Sequence, residues 1–78
     1  MEKLNKGWGS IRFTLDRYMD MRGISKSQLS KLADMQYTQL LSYCNNTVQR
    51  PDLDVLCRIC YALNCDLSDI MHYEPPKE

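Results

Sequence analysis

Four hydrogen-bonding side chains, Tyr37, Thr38, Gln39 and Ser42, crowd together without a charge among them. On a helix, Thr38 and Ser42 stand one turn apart with Gln39 beside them, opposite the apolar Leu40 and Tyr43. A glutamine amide matches N6 and N7 of adenine, a hydroxyl meets a base edge or a phosphate oxygen, and a tyrosine stacks or donates to phosphate. This is the chemistry of reading a surface rather than of breaking a bond. A second set, Cys44, Cys57, Cys60, Cys65 and the single His72, contains nucleophiles and soft metal ligands. The Cys57-x-x-Cys60 spacing invites a zinc site, but zinc sites usually draw their cysteine pairs across a turn. Catalysis needs a nucleophile, a base and an orienting group within reach of one another, and no such partners are evident around His72. The expectation is no enzyme activity, no metal and no cofactor. The thiols are expected to stay reduced as small hydrophobes, with redox sensing as the lesser alternative.

The elements that must position the reading face are short helices. Ser25 and Gln28 form a capping box, in which each side chain covers a free amide of the first turn. Ile24 and Leu29 sit as a hydrophobic staple around it, and Leu29, Leu32 and Ala33 then face inward. A turn at Asp34-Met35-Gln36 leads to a helix over 37–44, closed by Asn45-Asn46, where asparagine tolerates the left-handed conformation. Upstream, Leu15, Tyr18 and Met19 follow helical spacing up to Gly23. They predict a first helix over 11–22, although Ile11, Phe13 and Leu15 alternate as a short strand would. Downstream, a loop over 47–51 closes at Pro51. Asp52 caps a fourth helix with Leu53, Leu56, Cys57, Cys60 and Leu63 inward, and Asn64 ends it. Asp66 caps a fifth helix carrying Leu67, Ile70 and Met71. Pro75 and Pro76 forbid continuation. The fold expected is all-α, a compact five-helix bundle. Residues 1–10 are read as a flexible lead-in, 11–72 as the domain and 73–78 as a tail. Two helices joined by a short turn seat the second in a major groove while the first crosses the backbone.

The chain's 78 residues make one small domain, and 44% apolar content argues against disorder. No window approaches the roughly 18–20 apolar residues of a membrane span, and the N-terminus has no apolar stretch suited to a signal peptide, so a cytoplasmic location is expected. Formal charge is zero, which weighs against a nucleic-acid binder, because affinity comes largely from Lys and Arg meeting phosphates. The distribution is polarised. Residues 1–31 hold seven Lys and Arg against three Asp and Glu, whereas residues 32–78 hold three against seven. A basic end can face DNA while an acidic end faces away.

With this spacing established, Gly23-Ile24-Ser25, Leu29-Ser30, Pro51, Leu53, Leu56, Ile59, Ala62-Leu63-Asn64-Cys65 and Leu67 fall into step with a known pattern over residues 11–72. The chain resembles the Cro/repressor-type helix-turn-helix family of phage and bacterial transcription regulators, often called the Xre family. The resemblance implies a lambda-repressor-like DNA-binding fold with the helix-turn-helix in helices 2 and 3. It implies double-stranded DNA as partner, with Tyr37, Thr38, Gln39 and Ser42 on the bases and Lys26, Asn45, Gln49 and Arg50 on the phosphates. It also implies a homodimer whose recognition helices lie about 34–36 Å apart; Trp8–Phe13 and the tail offer either a cover for the core or pairing surface for it. Lys26 stands where relatives often have a phosphate-touching Gln, and Asp34 stands where the turn usually has Gly. Cys57, Cys60 and Cys65 occupy positions of core Leu, Ala and Val, which weakens the zinc reading. Many relatives place an Arg of the first helix against a Glu ending the recognition helix. Those positions are Met19 and Cys44 here, a double change that keeps one contact as packing.

One departure cuts against the DNA reading. No Lys or Arg occurs between Lys31 and Arg50, so the recognition helix is uncharged. The alternative is a helix-turn-helix scaffold used as a protein-interaction module, an antirepressor or regulatory partner, with Leu41 facing outward. No membrane partner and no small-molecule substrate is expected.

Overall fold

The computed structural model describes residues 7–77. Strand β1 (Ser10–Phe13) leads into α1 (Leu15–Arg22), α2 (Lys26–Leu32), α3 (Tyr37–Cys44) and α4 (Leu53–Leu63). A 3-10 turn (Leu67–Asp69) then delivers β2 (Met71–Glu74), which pairs antiparallel with β1. Among the described residues the architecture is therefore four α-helices and a two-stranded sheet rather than five helices. The first helix begins at Leu15, and the expected fifth helix is only the 3-10 turn. The physical reason is non-local: Ile11, Arg12 and Phe13 find Tyr73, His72 and Met71 as register partners, and a ladder satisfies backbone groups that a frayed helix end leaves open. Ser10 and Tyr73–Glu74, expected in the lead-in and the tail, are strand residues; residues 1–6 of the lead-in lie outside the described residues. Gly9 is required where the chain enters β1, because its φ is +80° and a Cβ there would collide with the Glu74 carbonyl oxygen.

The helices form for local reasons. In α2, Ser25 Oγ accepts from Gln28 N (3.1 Å) and Gln28 Oε1 accepts from Ser25 N (2.9 Å), the expected capping box. In α4, Asp52 Oδ1 accepts from Asp54 N at 2.8 Å. Helix ends use the left-handed region: Gly23 closes α1, Asn64 closes α4, and Asn46 follows α3 with φ +60°. Asp34, in the turn between α2 and α3, adopts φ +53° in place of a glycine.

The core gathers one face of every element. Leu15, Met19, Leu29, Leu40, Ile59, Leu63 and Ile70 are essentially inaccessible, and Phe13 meets Tyr43 edge-to-face with ring centroids 5.3 Å apart. Two inward assignments fail on α4. Leu53 and Cys57 are exposed, and Val55 and Ile59 are buried in their place. That helix has two apolar rows, and its periodicity alone cannot say which one turns inward. Leu32 and Leu67 are likewise exposed. Among the described residues no helix is long and apolar enough to cross a membrane.

Candidate nucleic-acid interface

Helix α3 is held by its buried side. Leu40, Tyr43 and Cys44 are in the core, and the Tyr43 hydroxyl accepts from Asp52 N at 2.9 Å, which ties the start of α4 to α3. Tyr37, Thr38 and Gln39 are exposed on the opposite side and the first turn, whereas Ser42 and Leu41 are half-buried. Ser42 Oγ donates to the Gln39 carbonyl at 2.7 Å. Its proton is spent inside the helix, and what it offers outward is an acceptor. Asn45 caps the C-terminus of α3, and Asn45, Gln49 and Arg50 are exposed on the loop that follows. Thr38, Ser42 and Asn45 thus form one row along the helix.

Lys26 opens α2 at the other edge of this surface, and the structure gives it a partner the sequence had not indicated. Its Nζ lies 3.0 Å from Asp16 Oδ1 on α1. The hydrogen bond and the charge of Asp16 push the Lys26 pKa upward. Asp16, Lys26 and Tyr37 line one shallow cleft. The ammonium is therefore fully charged but partly neutralised by a neighbour.

Two positioning residues were missed by reasoning from sequence. Arg58 on α4 donates to the Asp34 carbonyl at 2.6 Å while its Nε and Nη2 grip Asp54. The guanidinium thereby braces the turn between α2 and α3, and the i,i+4 spacing of Asp54 and Arg58 was the available signal. Asn46 was readable as a helix end, but not as the residue whose side-chain amide bonds both backbone groups of Phe13 on β1. The expected Met19–Cys44 contact is present, with Cys44 Sγ 3.9 Å from Met19 Sδ, both buried. Burial pushes the Cys44 and Cys65 thiols up to about 11. Among the described residues no three His, Cys, Asp or Glu side chains come together as a metal-binding group. Trp8 and Tyr73, both exposed, are linked by a Tyr73 hydroxyl that donates to the Trp8 carbonyl at 2.8 Å.

The model of the Cro/C1-type helix-turn-helix DNA-binding domain matches residues 14–76. The chain belongs to that family. Among solved structures it is similar to the crystal structure of the transcriptional regulator VanUg, Form II, with a TM-score of 0.66 and 24% identity over 87% of this chain and 91% of that one. At that identity the likeness speaks for the fold. No curated protein matches the chain. Both α2 and α3 lie inside the matched region.

Proposed function

We propose that the chain is a small transcriptional regulator that binds double-stranded DNA sequence-specifically, with α3 in the major groove. The observation that carries this reading is the arrangement of α3. One side is locked into the core, and the other presents Tyr37, Thr38 and Gln39 uncovered, between Lys26 on one flank and the 45–50 loop on the other. Tyr37, Thr38, Gln39 and Ser42 read base edges, with Gln39 suited to adenine and Ser42 contributing an acceptor. Lys26, Asn45, Gln49 and Arg50 hold the phosphates and fix the register. The protein works without catalysis or cofactor, in the cytoplasm. As a two-fold dimer it reads a near-palindrome with half-sites one turn apart.

Selection of duplexes from a random pool by the purified protein at low salt tests the reading. A near-palindrome with half-sites about 34–36 Å apart is the expected product. A flat pool overturns it.

The Lys26–Asp16 pair favours one rival, in which the same surface docks a protein. An uncharged α3 with a half-buried Leu41, flanked by a lysine already paired with Asp16, suits an apolar partner. Salt separates the two readings, because DNA affinity falls steeply with ionic strength and an apolar contact does not.

A further inference from the structure

The second apolar row of α4 has no use inside the domain. Leu53, Cys57 and Tyr61, spaced i, i+4 and i+8, run along the side away from the buried Val55, Leu56, Ile59 and Leu63. Leu53 is 77% exposed and Tyr61 89%, with Cys57 exposed between them. The outward row of a surface helix is ordinarily polar. Helix α2, which packs on α4, ends in Leu32, itself 62% exposed.

We infer that this row is where α4 meets the α4 of a second copy of the chain, the two helices antiparallel about a two-fold axis at Cys57. The inference rests on the homodimer of the proposed function and says which surface makes it. Three observations select a second copy as the occupant. The row is self-complementary: a small thiol stands at its centre with a larger apolar side chain one turn away on each side. Rotation about Cys57 lays Leu53 of each copy against Tyr61 of the other, and the closest approach falls at the thiols. The flank is also self-complementary in charge. Asp54 and Arg58 border the row and are joined within one helix at 2.7 Å. Antiparallel pairing brings Asp54 of each copy alongside Arg58 of the other, closing a ring of four alternating charges. Finally, the area fits. The three side chains of the row expose roughly 400 Å² on each copy, so pairing hides at most about 800 Å², in the range of a weak, reversible association. A reversible dimer of that size assembles on a two-half-site operator more readily than in dilute solution.

Sedimentation equilibrium of the full chain, with Tyr61→Lys and Cys57→Ser variants, tests the inference. The unmodified chain is expected to dimerise reversibly, and Tyr61→Lys to weaken the dimer by at least about tenfold with unchanged far-ultraviolet circular dichroism. A short bismaleimide is expected to give a covalent dimer that Cys57→Ser abolishes. A dimer unaffected by Tyr61→Lys and not cross-linked through Cys57 overturns the inference while leaving the dimer itself in place. A monomer at every concentration, with and without a duplex, overturns both. Duplex selection remains a separate readout of DNA binding.

Discussion

Asn46 holds Phe13 by both of its backbone groups. Its Oδ1 accepts from Phe13 N at 2.7 Å, and its Nδ2 donates to Phe13 O at 2.9 Å. One amide thus stands in for a neighbouring strand along β1 while its own backbone, at φ +60°, turns the chain out of α3. The end of α3 and the sheet are fastened at this residue. Asn46→Ala loses two hydrogen bonds and strains the left-handed position, for an expected loss of about 2–4 kcal/mol in urea unfolding. Asn46→Gly loses the bonds but keeps the conformation, so it should cost less. Equal losses from the two would assign the whole effect to the bonds.

Met19 and Cys44 meet inside the core as two sulfurs 3.9 Å apart. A charge placed alone at either site is buried without a partner and is expected to destabilise by about 3–5 kcal/mol. Met19→Arg combined with Cys44→Glu should recover a large part of the summed single losses. A double-mutant cycle by thermal or urea unfolding measures this, and strict additivity would show that the two side chains do not meet.

In the proposed complex Asp16 competes with DNA for Lys26, whose Nζ lies 3.0 Å from the Asp16 carboxylate. Asp16→Asn keeps the shape, removes a negative charge beside the interface and frees the ammonium. Affinity for the selected duplex is expected to rise several-fold, and the salt slope to steepen by about one ion. Fluorescence anisotropy across a salt series reads both. An unchanged slope would remove Lys26 from the set of phosphate contacts.

Gln39→Ala should cost about 1–3 kcal/mol at a single base position and relax preference there alone. Repeating the duplex selection with the variant checks this. Weakening spread evenly over all positions would reassign Gln39 to the backbone.

The thiols should separate by reactivity. Cys57 is exposed, whereas Cys44 is buried and its thiol, like that of Cys65, is pushed from 9.0 to about 11 chiefly by burial. Maleimide at pH 8 is expected to label Cys57 first and Cys44 only on unfolding, followed by peptide mass spectrometry. The raised values also set the sign of a stability trend. The folded state holds these protons more tightly than the unfolded one, so their contribution is complete below about pH 9 and is lost as pH climbs towards about 11. Melting temperatures measured across that window should fall.

What was legible in the sequence was local. The capping box of Ser25 and Gln28, the left-handed Asn46, the helix end at Asn64 and the cap at Asp52 each depend on a few adjacent residues, and all are in place. The Met19–Cys44 contact was reachable because the family's pairing joins those two positions. What escaped depends on partners far apart in the chain. Ile11 and Phe13 alternate whether or not a second strand exists, and nothing near them announces Tyr73 and Met71. The exposure of Leu53 and Cys57 escaped for a different reason, since α4 is apolar on two sides and a period has no sign. On α3 the exposure of Tyr37, Thr38 and Gln39 could be named in advance, but Asp16 beside Lys26 and Arg58 beneath the turn are set by tertiary packing.

Helix α3 has eight residues and no side-chain bond at its N-cap, well under the length at which a helix persists alone in water. It exists only while Leu40, Tyr43 and Cys44 remain seated. Loss of packing anywhere in so small a core therefore unmakes the whole binding face at once, in a single population. In the proposed regulator the occupied fraction of an operator would be scaled by the folded fraction of the chain. Temperature would then act on the gene through the melting curve, with no sensor beyond the fold.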